Sequence, residues 1–209
     1  MLLFSRVITL TGSPRRSMSW AVEINSYVND HCDLDVALWS GDFGYPLGTM
    51  AWSAAVESEA ALAAETAKLV TDDGYFDMVD QAEDLVTEPG QDLLRELVHG
   101  EPGEPPAVGS IATITTATAL VDRMVDAVGW AVDIAQHITT VTGAPLSVFT
   151  NVYGQMGEIT WISARPDLAS VETARATLTA DADYLGRMPA TKELFVPASG
   201  HFGRVTRIA

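Results

Sequence analysis

The sequence predicts an α+β fold in which one βαββαβ module occurs twice in tandem. Trp20–Ile24 returns 110 positions later as Trp130–Ile134, with Asp in place of Glu at the fourth position. Gly48–Trp52 and Gly157–Trp161 keep nearly the same offset, 109 positions. A stretch rich in proline and glycine, residues 99–109, separates the copies. Repetition at a fixed spacing indicates a repeated structural unit, so we expect a first module at 1–98 and a second at 110–209.

The first module begins with a β-rich segment that Gly12-Ser13-Pro14 interrupts. Ser13 suits a helix N-cap and Pro14 the first helical position, and Trp20, Ile24 and Tyr27 recur at helical spacing. The predicted elements, in chain order, are a strand, a helix, two strands, a helix, a short helix and a returning strand: 6–11, 14–29, 34–40, 49–54, 57–70, 75–84 and 85–99.

The second module repeats this plan without the short helix. Its predicted elements are a strand, a helix, two strands, a helix and a strand-rich end: 110–116, 120–141, 146–152, 158–164, 167–179 and 193–208. Each module is then a ferredoxin-like unit, with both helices on one face of an antiparallel sheet. The other sheet face is apolar and must be covered. The second copy is the nearest cover, so we expect the modules to pack sheet to sheet as a single-chain α+β barrel.

The acidic composition excludes some partners. The chain carries 28 acidic and 12 basic residues, a net charge of −16. Residues 1–109 hold 19 acids and 5 bases, whereas residues 110–209 hold 9 and 7. Nucleic acids and anionic membranes attract basic proteins, so we expect neither as a partner. The acidic first half is either a solvated face or a docking face for a basic partner.

No run of about 18 apolar residues predicts a transmembrane helix, and the first residues lack the layout of a signal peptide. We therefore expect a cytoplasmic protein. The single Cys32 has no intramolecular disulfide partner and is typical of a small buried residue.

The predicted topology resembles the dimeric α+β barrel superfamily. That group includes antibiotic-biosynthesis monooxygenases, small polyketide cyclases, stress-responsive A/B barrel proteins and the NIPSNAP-like family. Gly157–Leu168 is similar to a NIPSNAP-like stretch in which a Trp-bearing strand runs into an acidic helix start, and Gly48–Glu57 is a weaker copy. The resemblance implies a tandem fused pseudo-dimer with a small-molecule pocket between the sheets. It does not imply a reaction, because one fold hosts many functions.

Four aromatic residues are candidates for binding an apolar or aromatic small molecule. Trp39 and Phe149 occupy equivalent positions, on the strand face opposite the row of Leu38. If that row packs under the helices, both rings face the space between the sheets, where they either stack on a planar ligand or fill the core. Trp52 and Trp161 are also equivalent, but a one-residue change of register inverts the face of a strand. They are therefore either pocket walls or core under the helices.

Two residues are candidates for proton transfer. Glu158 stands where the first module has Thr49, and a carboxylate buried in a pocket would act as a general base. The alternative is a solvated residue at the end of a hairpin. His201 lies between glycines and its counterpart is Gln91, which suits a single asymmetric site. His137, on an apolar helix stripe, is more typical of a core histidine.

We expect no metal site and no cofactor, since the sequence has no His-x-x-x-His, no cysteine pair, no dinucleotide fingerprint and no phosphate loop. Gly-x-Ser-x-Gly is also absent. These observations and the resemblance leave two candidate functions. The first is a small-molecule enzyme, by resemblance a cofactor-free monooxygenase or a cyclase/isomerase, with an apolar pocket between the sheets. The alternative is a non-catalytic scaffold that docks a basic partner. Either protein could also form a homo-oligomer.

Overall fold

The computed structural model describes residues 1–86, 89–101 and 105–209. Its strands are β1 Leu2–Thr9, β2 Ala37–Phe43, β3 Thr49–Val56, β4 Gln91–His99, β5 Ile111–Thr118, β6 Ser147–Tyr153, β7 Glu158–Arg165 and β8 His201–Arg207. Its α-helices are α1 Pro14–His31, α2 Glu59–Leu69, α3 Asp73–Asp80, α4 Met124–Thr142, α5 Leu168–Ala180, α6 Ala182–Arg187 and α7 Thr191–Leu194. Short 3-10 turns occupy Val121–Arg123 and Met188–Ala190.

The predicted order of strands and long helices is confirmed, but the second module also carries two short helices, α6 and α7, that were not predicted. Several bounds differ as well. β1 begins at Leu2, because this end of the strand is paired on both sides, with β3 and with β4. β4 begins only at Gln91 and extends through His99, the first residue of the predicted linker. The predicted strand-rich end, 193–208, contains the end of α7, and its strand begins only at His201. Residues 102–104 of the linker and residues 87 and 88 lie outside the described residues.

Within the described residues, the strands close into a barrel in the order β1-β3-β2-β8-β5-β7-β6-β4. Each module contributes an antiparallel sheet with the same internal order, β4-β1-β3-β2 in the first and β8-β5-β7-β6 in the second. Two antiparallel seams, β2–β8 and β4–β6, join the sheets edge to edge. The predicted α+β barrel is thus confirmed, and strand pairing at the seams protects the edges that open sheets would leave free.

Alternation along the strands gives the barrel two distinct faces. The outer face packs under the helices in two cores, one around Leu38 and Trp52 and the other around Val148 and Trp161. The inner face forms a smaller core around Trp39, Ala112 and Val205. No helix in the described residues combines the length and apolarity needed to cross a bilayer.

The first outer core is closed by α3. The indole N–H of Trp20 donates to the Met78 carbonyl oxygen at 2.7 Å, and its ring meets Trp52 edge to face at 6.0 Å between centroids. Tyr75 and Leu85 pack against the same cluster. Trp20 in α1 thus binds directly to the C-terminal part of α3, which covers this side of the sheet.

Candidate functional site

The second module holds a cavity of about 940 Å³ between the outer face of its sheet and its helices. This volume is in the range of small-molecule sites in proteins. The cavity is bordered by β5, β7 and β8 below and by α4, α5, α6 and α7 above and beside. In the first module the corresponding space is occupied by the packing of Trp20, Met78 and Leu85.

Three aromatic rings form one wall of the cavity. Trp130 from α4, Trp161 from β7 and Phe195, just after α7, meet with centroid separations of 5.6 to 6.3 Å. The Trp161 indole N–H donates to the Ala131 carbonyl oxygen at 3.1 Å, which fixes the ring under α4. Edge-to-face clusters of this kind present apolar ring faces to a ligand.

The sheet floor changes from apolar to polar along the strands. Trp161 and Phe202 flank Thr115 in one cross-strand row, and Ser163 and Arg204 flank Thr113 in the next. Arg165 follows two residues beyond Ser163, at the end of β7 and on the same face. A ligand on this floor would meet aromatic carbon at one end and hydroxyl and guanidinium groups at the other.

Helix α6 carries Tyr184 to the cavity and is held in place by a partly buried contact. The Asp181 carboxylate caps the helix by accepting from the Tyr184 backbone N–H at 2.6 Å. It also lies 2.8 Å from His137 Nε2 on α4. Both contacts lower the pKa of Asp181, the backbone N–H most. Burial raises the pKa of the Tyr184 hydroxyl, so the phenol is neutral near pH 7 and can donate a hydrogen bond.

Among the described residues of the first module, one side chain borders this cavity. Phe43, at the end of β2, lines the cavity and packs against Arg204 of β8. A register shift in the β2–β8 seam between Gly41 and Phe43 accompanies this placement. β-Bulges redirect side chains in this way and are common at the rims of barrels.

The structure places Trp39 and Phe149 on the inner face of the barrel, as the strand alternation predicted. Trp39 is 8% exposed and Phe149 5%, and the Trp39 indole N–H donates to Ser53 Oγ at 2.9 Å. Trp39 packs with Ala112 and Val205 in the inner core. The cavity described above thus lies under the helices, whereas the sequence analysis expected a pocket between the sheets.

Trp52 and Trp161 lie on the outer face, under the helices. The register decides this: Trp52 pairs with Leu38, whose side chain is fully buried in the first outer core. Trp161 holds the same place in the second module, where it also lines the cavity. Both residues therefore take the helix-facing alternative, and neither is a wall of a pocket between the sheets. Trp161 in addition borders the cavity under the helices.

Glu158 faces the barrel interior and belongs to a polar cluster at the β4–β6 seam. It accepts a hydrogen bond from Asn151 Nδ2 at 3.1 Å, and Asn151 pairs with Arg95 across the seam. Burial lowers the pKa of Arg95, while the nearby charges of Glu158 and Tyr45 oppose that shift. Arg95 Nε, Asn151 Oδ1 and Thr160 Oγ1 are buried and have no hydrogen-bond partner among the described residues.

His201 lies at the same end of the barrel but outside the cavity lining. Its Nε2 is 2.6 Å from the Gly44 carbonyl oxygen, to which a protonated Nε2 would donate. Its ring meets Tyr45 at 5.3 Å between centroids. β4 begins at Gln91 and β8 at His201, so the two residues are counterparts, as the repeat predicted. The catalytic roles of His201 and Glu158 stay predictions.

The sequence analysis missed the polar residues that line the cavity. Arg165, Arg175, Tyr184 and Lys192 all border it. Only Arg165 lies in a stretch that the sequence analysis singled out, and no role was assigned to it there. One signal was available: the second half of this acidic chain holds 7 of its 12 basic residues. In residues 1–86, 89–101 and 105–209, no three His, Cys, Asp or Glu side chains come together in a group that could hold a metal ion.

Comparison with solved structures shows the same fold in proteins of very different sequence. A candidate monooxygenase from Fusobacterium nucleatum subsp. nucleatum superposes with a TM-score of 0.70 at 9% identity, covering 100% of this chain and 92% of that one. An anthrone oxidase-like protein gives a TM-score of 0.72 at 12% identity, covering 100% and 91%. A major regulator of staphylococcal pathogenesis gives 0.61 at 9% identity, covering 100% of both chains.

No protein-family model and no curated protein matches the sequence. At identities this low, the likeness establishes the fold alone. The chain has the dimeric α+β barrel fold, with both halves of the barrel in one polypeptide, as the sequence predicted.

Proposed function

We propose that this protein is an enzyme that binds an apolar, aromatic small molecule in the cavity of its second module. The observation that carries the proposal is the cavity of about 940 Å³ bordered by Trp130, Trp161 and Phe195. Its aromatic wall favours a planar ligand, and its polar floor would orient that ligand. The presence of a candidate monooxygenase and an anthrone oxidase-like protein among the structures of this fold supports an enzyme.

The reaction that we propose is a cofactor-free monooxygenation, with a cyclase or isomerase as the close alternative. Both reactions begin when a carbon that is bonded to a carbonyl group, or conjugated with it through an aromatic ring, loses a proton and an enolate forms. In the oxygenation, a CH₂ group and O₂ become C=O and H₂O, so the substrate supplies all the electrons. In the cyclisation, the same enolate attacks a second carbonyl carbon within the substrate.

The cavity residues offer what an enolate needs. The neutral phenol of Tyr184 would donate a hydrogen bond to the developing oxyanion, and the guanidinium group of Arg204 would stabilise its charge. Among the described residues, Glu172 is the one carboxylate that lines the cavity, and we assign it the role of proton acceptor. Glu158 and His201 would instead serve a ligand that enters the barrel interior.

The test is oxidation of anthrone, a planar tricyclic ketone with an acidic CH₂ group. Purified protein, anthrone and ¹⁸O₂ should give anthraquinone that carries one labelled oxygen, above the rate of the uncatalysed reaction. Trp161→Ala should abolish the gain, and Trp52→Ala is its matched control because Trp52 is the buried counterpart outside the cavity. A rate equal to the background would contradict the oxygenase. If both variants stay folded and both lose activity, the assignment of the reaction to the cavity of the second module would be contradicted.

A scaffold role is the second candidate, and the excess of acids in the first module favours it. Part of that charge, however, is already engaged within the chain: Asp84 pairs with Arg16, and Asp33 and Glu65 share Lys68. A docking surface would need the remaining acids. Salt-sensitive capture of a lysine-rich peptide that is lost when Asp77, Asp80 and Glu83 become Asn or Gln would favour this role over the enzyme.

A further inference from the structure

Basic side chains converge on the cavity of the second module. The whole chain has only 12 Lys and Arg residues against 28 acids. Four of these bases border the cavity: Arg165, Arg175, Lys192 and Arg204. They come from four different elements, namely β7, α5, α7 and β8. Chain neighbourhood therefore does not explain their meeting, which is a product of the fold.

Most of these bases are left without a carboxylate partner. Arg204 binds Asp42 at 3.1 Å, but among the described residues no carboxylate lies within 4.0 Å of the charged groups of Arg165, Arg175 or Lys192. These unpaired charges give the cavity a positive potential within a molecule of net charge −16.

Among the three unpaired bases, Arg165 gives the strongest evidence for an anionic ligand. Its side chain is half-buried at the end of the sheet floor, and burial alone lowers its pKa, with no acidic neighbour that would restore it. A guanidinium that loses water without gaining a carboxylate costs free energy in the empty protein. An anionic ligand would offset that cost.

The order of side chains along the sheet floor indicates where such an anion would lie. The aromatic row of Trp161 comes first, the hydroxyl row of Thr113 and Ser163 comes next, and Arg165 follows at the end. A ligand that fits this order has rings at one end and a negative charge at the other. Guanidinium groups match the plane and spacing of carboxylate oxygens better than those of most anions.

Resting on the proposed function, we infer that the ligand of this cavity is an aromatic carboxylate, whose rings lie on Trp130 and Trp161 and whose carboxylate is held by Arg165 and Arg175. The inference names the chemical class of the substrate. It adds a preference for a negative charge at one end of the molecule, which the aromatic wall alone does not impose.

The test compares 2-naphthoate with 2-naphthamide, two probes of nearly equal shape that differ in charge. Isothermal titration calorimetry on the full chain should show that the carboxylate binds about tenfold more tightly than the amide, which is the effect of a charge-assisted contact. Arg165→Gln with Arg175→Gln should abolish the preference and leave amide binding within about twofold. Arg187→Gln is the matched control, since Arg187 is exposed on α6 and outside the cavity lining.

The possible results distinguish the inferred anionic ligand from the proposed function, on which that inference rests. If the two probes bind with equal affinity and Trp161→Ala abolishes the binding of both, the inferred preference for an anionic ligand would be overturned. The proposal that the cavity binds aromatic molecules would still stand. A preference that survives the double substitution would overturn the assignment to Arg165 and Arg175. Binding of neither probe would contradict the proposed function and this inference with it. The melting curve of the double arginine variant should match that of the unaltered protein, because both arginines lie at the cavity surface and have no carboxylate partner among the described residues.

Discussion

The guanidinium carbon of Arg204, in the second module, lies 4.7 Å from the centre of the Phe43 ring, in the first module. Beside this pair, the Asp42 carboxylate accepts from Arg204 Nε at 3.1 Å and from Thr206 Oγ1 at 2.7 Å. Both Phe43 and Arg204 border the cavity. The β2–β8 seam therefore does more than close the barrel, because it brings a residue of one module into the site of the other.

Replacing Phe43 with Ala should weaken ligand binding without unfolding the protein. The ring is 67% exposed, so the free energy of unfolding should change by less than about 0.5 kcal/mol. Loss of the cation–π contact and of one apolar wall should reduce affinity for a naphthalene probe about threefold to tenfold. Calorimetry gives the affinity, and Phe76→Ala, on α3 of the first module, is the control. An unchanged affinity would show that the ligand does not reach this wall.

The counterparts Trp52 and Trp161 should respond differently to the same change. At either position, Trp→Phe replaces a buried indole by a smaller phenyl ring, which should lower the free energy of unfolding by about 1 to 2 kcal/mol. Only Trp161→Phe should also lower ligand affinity, since only Trp161 borders the cavity. Urea unfolding and calorimetry on both variants measure the two effects. Equal losses of affinity would argue that the effect passes through overall stability.

The Asp181 carboxylate should make α6 sensitive to acid. Its pKa is held below the ordinary 3.8, first by the Tyr184 backbone N–H and then by His137. A lowered native pKa stabilises the folded state above the ordinary value, and that contribution disappears as the pH falls through the native pKa. Asp181→Asn should therefore lower the melting temperature at pH 7 but much less near pH 2. A gap between the two proteins that stays constant with pH would contradict this linkage.

Arg95→Met should leave the protein as stable as before or make it more stable by about 1 kcal/mol. The side chain is 8% exposed, its Nε has no hydrogen-bond partner among the described residues, and burial is the largest influence on its pKa. A methionine of similar volume fills the same space without a charge. Urea unfolding gives the difference. A loss greater than about 1 kcal/mol would show that the attraction to Glu158 outweighs desolvation.

Tyr184→Phe and His201→Ala should separate the cavity from the barrel interior as the place of reaction. If the cavity hosts the chemistry, the loss of the Tyr184 hydroxyl should reduce turnover of anthrone by at least about tenfold. His201→Ala should stay within about twofold of the unaltered protein, because its ring faces the other side of the sheet. The reverse order of effects would move the site into the barrel.

Much of the architecture could be predicted from the repeat, and the reasons are visible in particular residues. The alternation around Leu38 and Trp39 correctly assigned one side chain to the outer core and the other to the barrel interior. The face of Trp52 could not be assigned, because it depends on the register with β2, which leaves no mark in a single strand. The bulge that turns Phe43 towards Arg204 was hidden for the same reason.

The position of the cavity could not be predicted from the sequence, for a different reason. The two modules share their apolar pattern, so the sequence analysis gave their outer cores equal weight. The difference arises in the segments that follow α2 and α5. In the first module α3 binds Trp20 through the Met78 carbonyl, whereas in the second the Asp181–His137 contact holds a shorter helix. Single hydrogen bonds of this kind are set by three-dimensional placement and do not change hydrophobic periodicity.

A barrel assembled from two identical chains carries every substitution twice, once on each side of its axis. Here Arg95 on β4 faces the interior, and its counterpart on β8 is Val205, which packs in the inner core. In a symmetric homodimer the same choice would put two guanidinium groups inside one barrel, and their repulsion would add to the cost of burying each. Fusion of the halves lifts that restriction, so the interior can hold the Arg95 guanidinium without a symmetric copy, and one module can keep a cavity that its twin has filled.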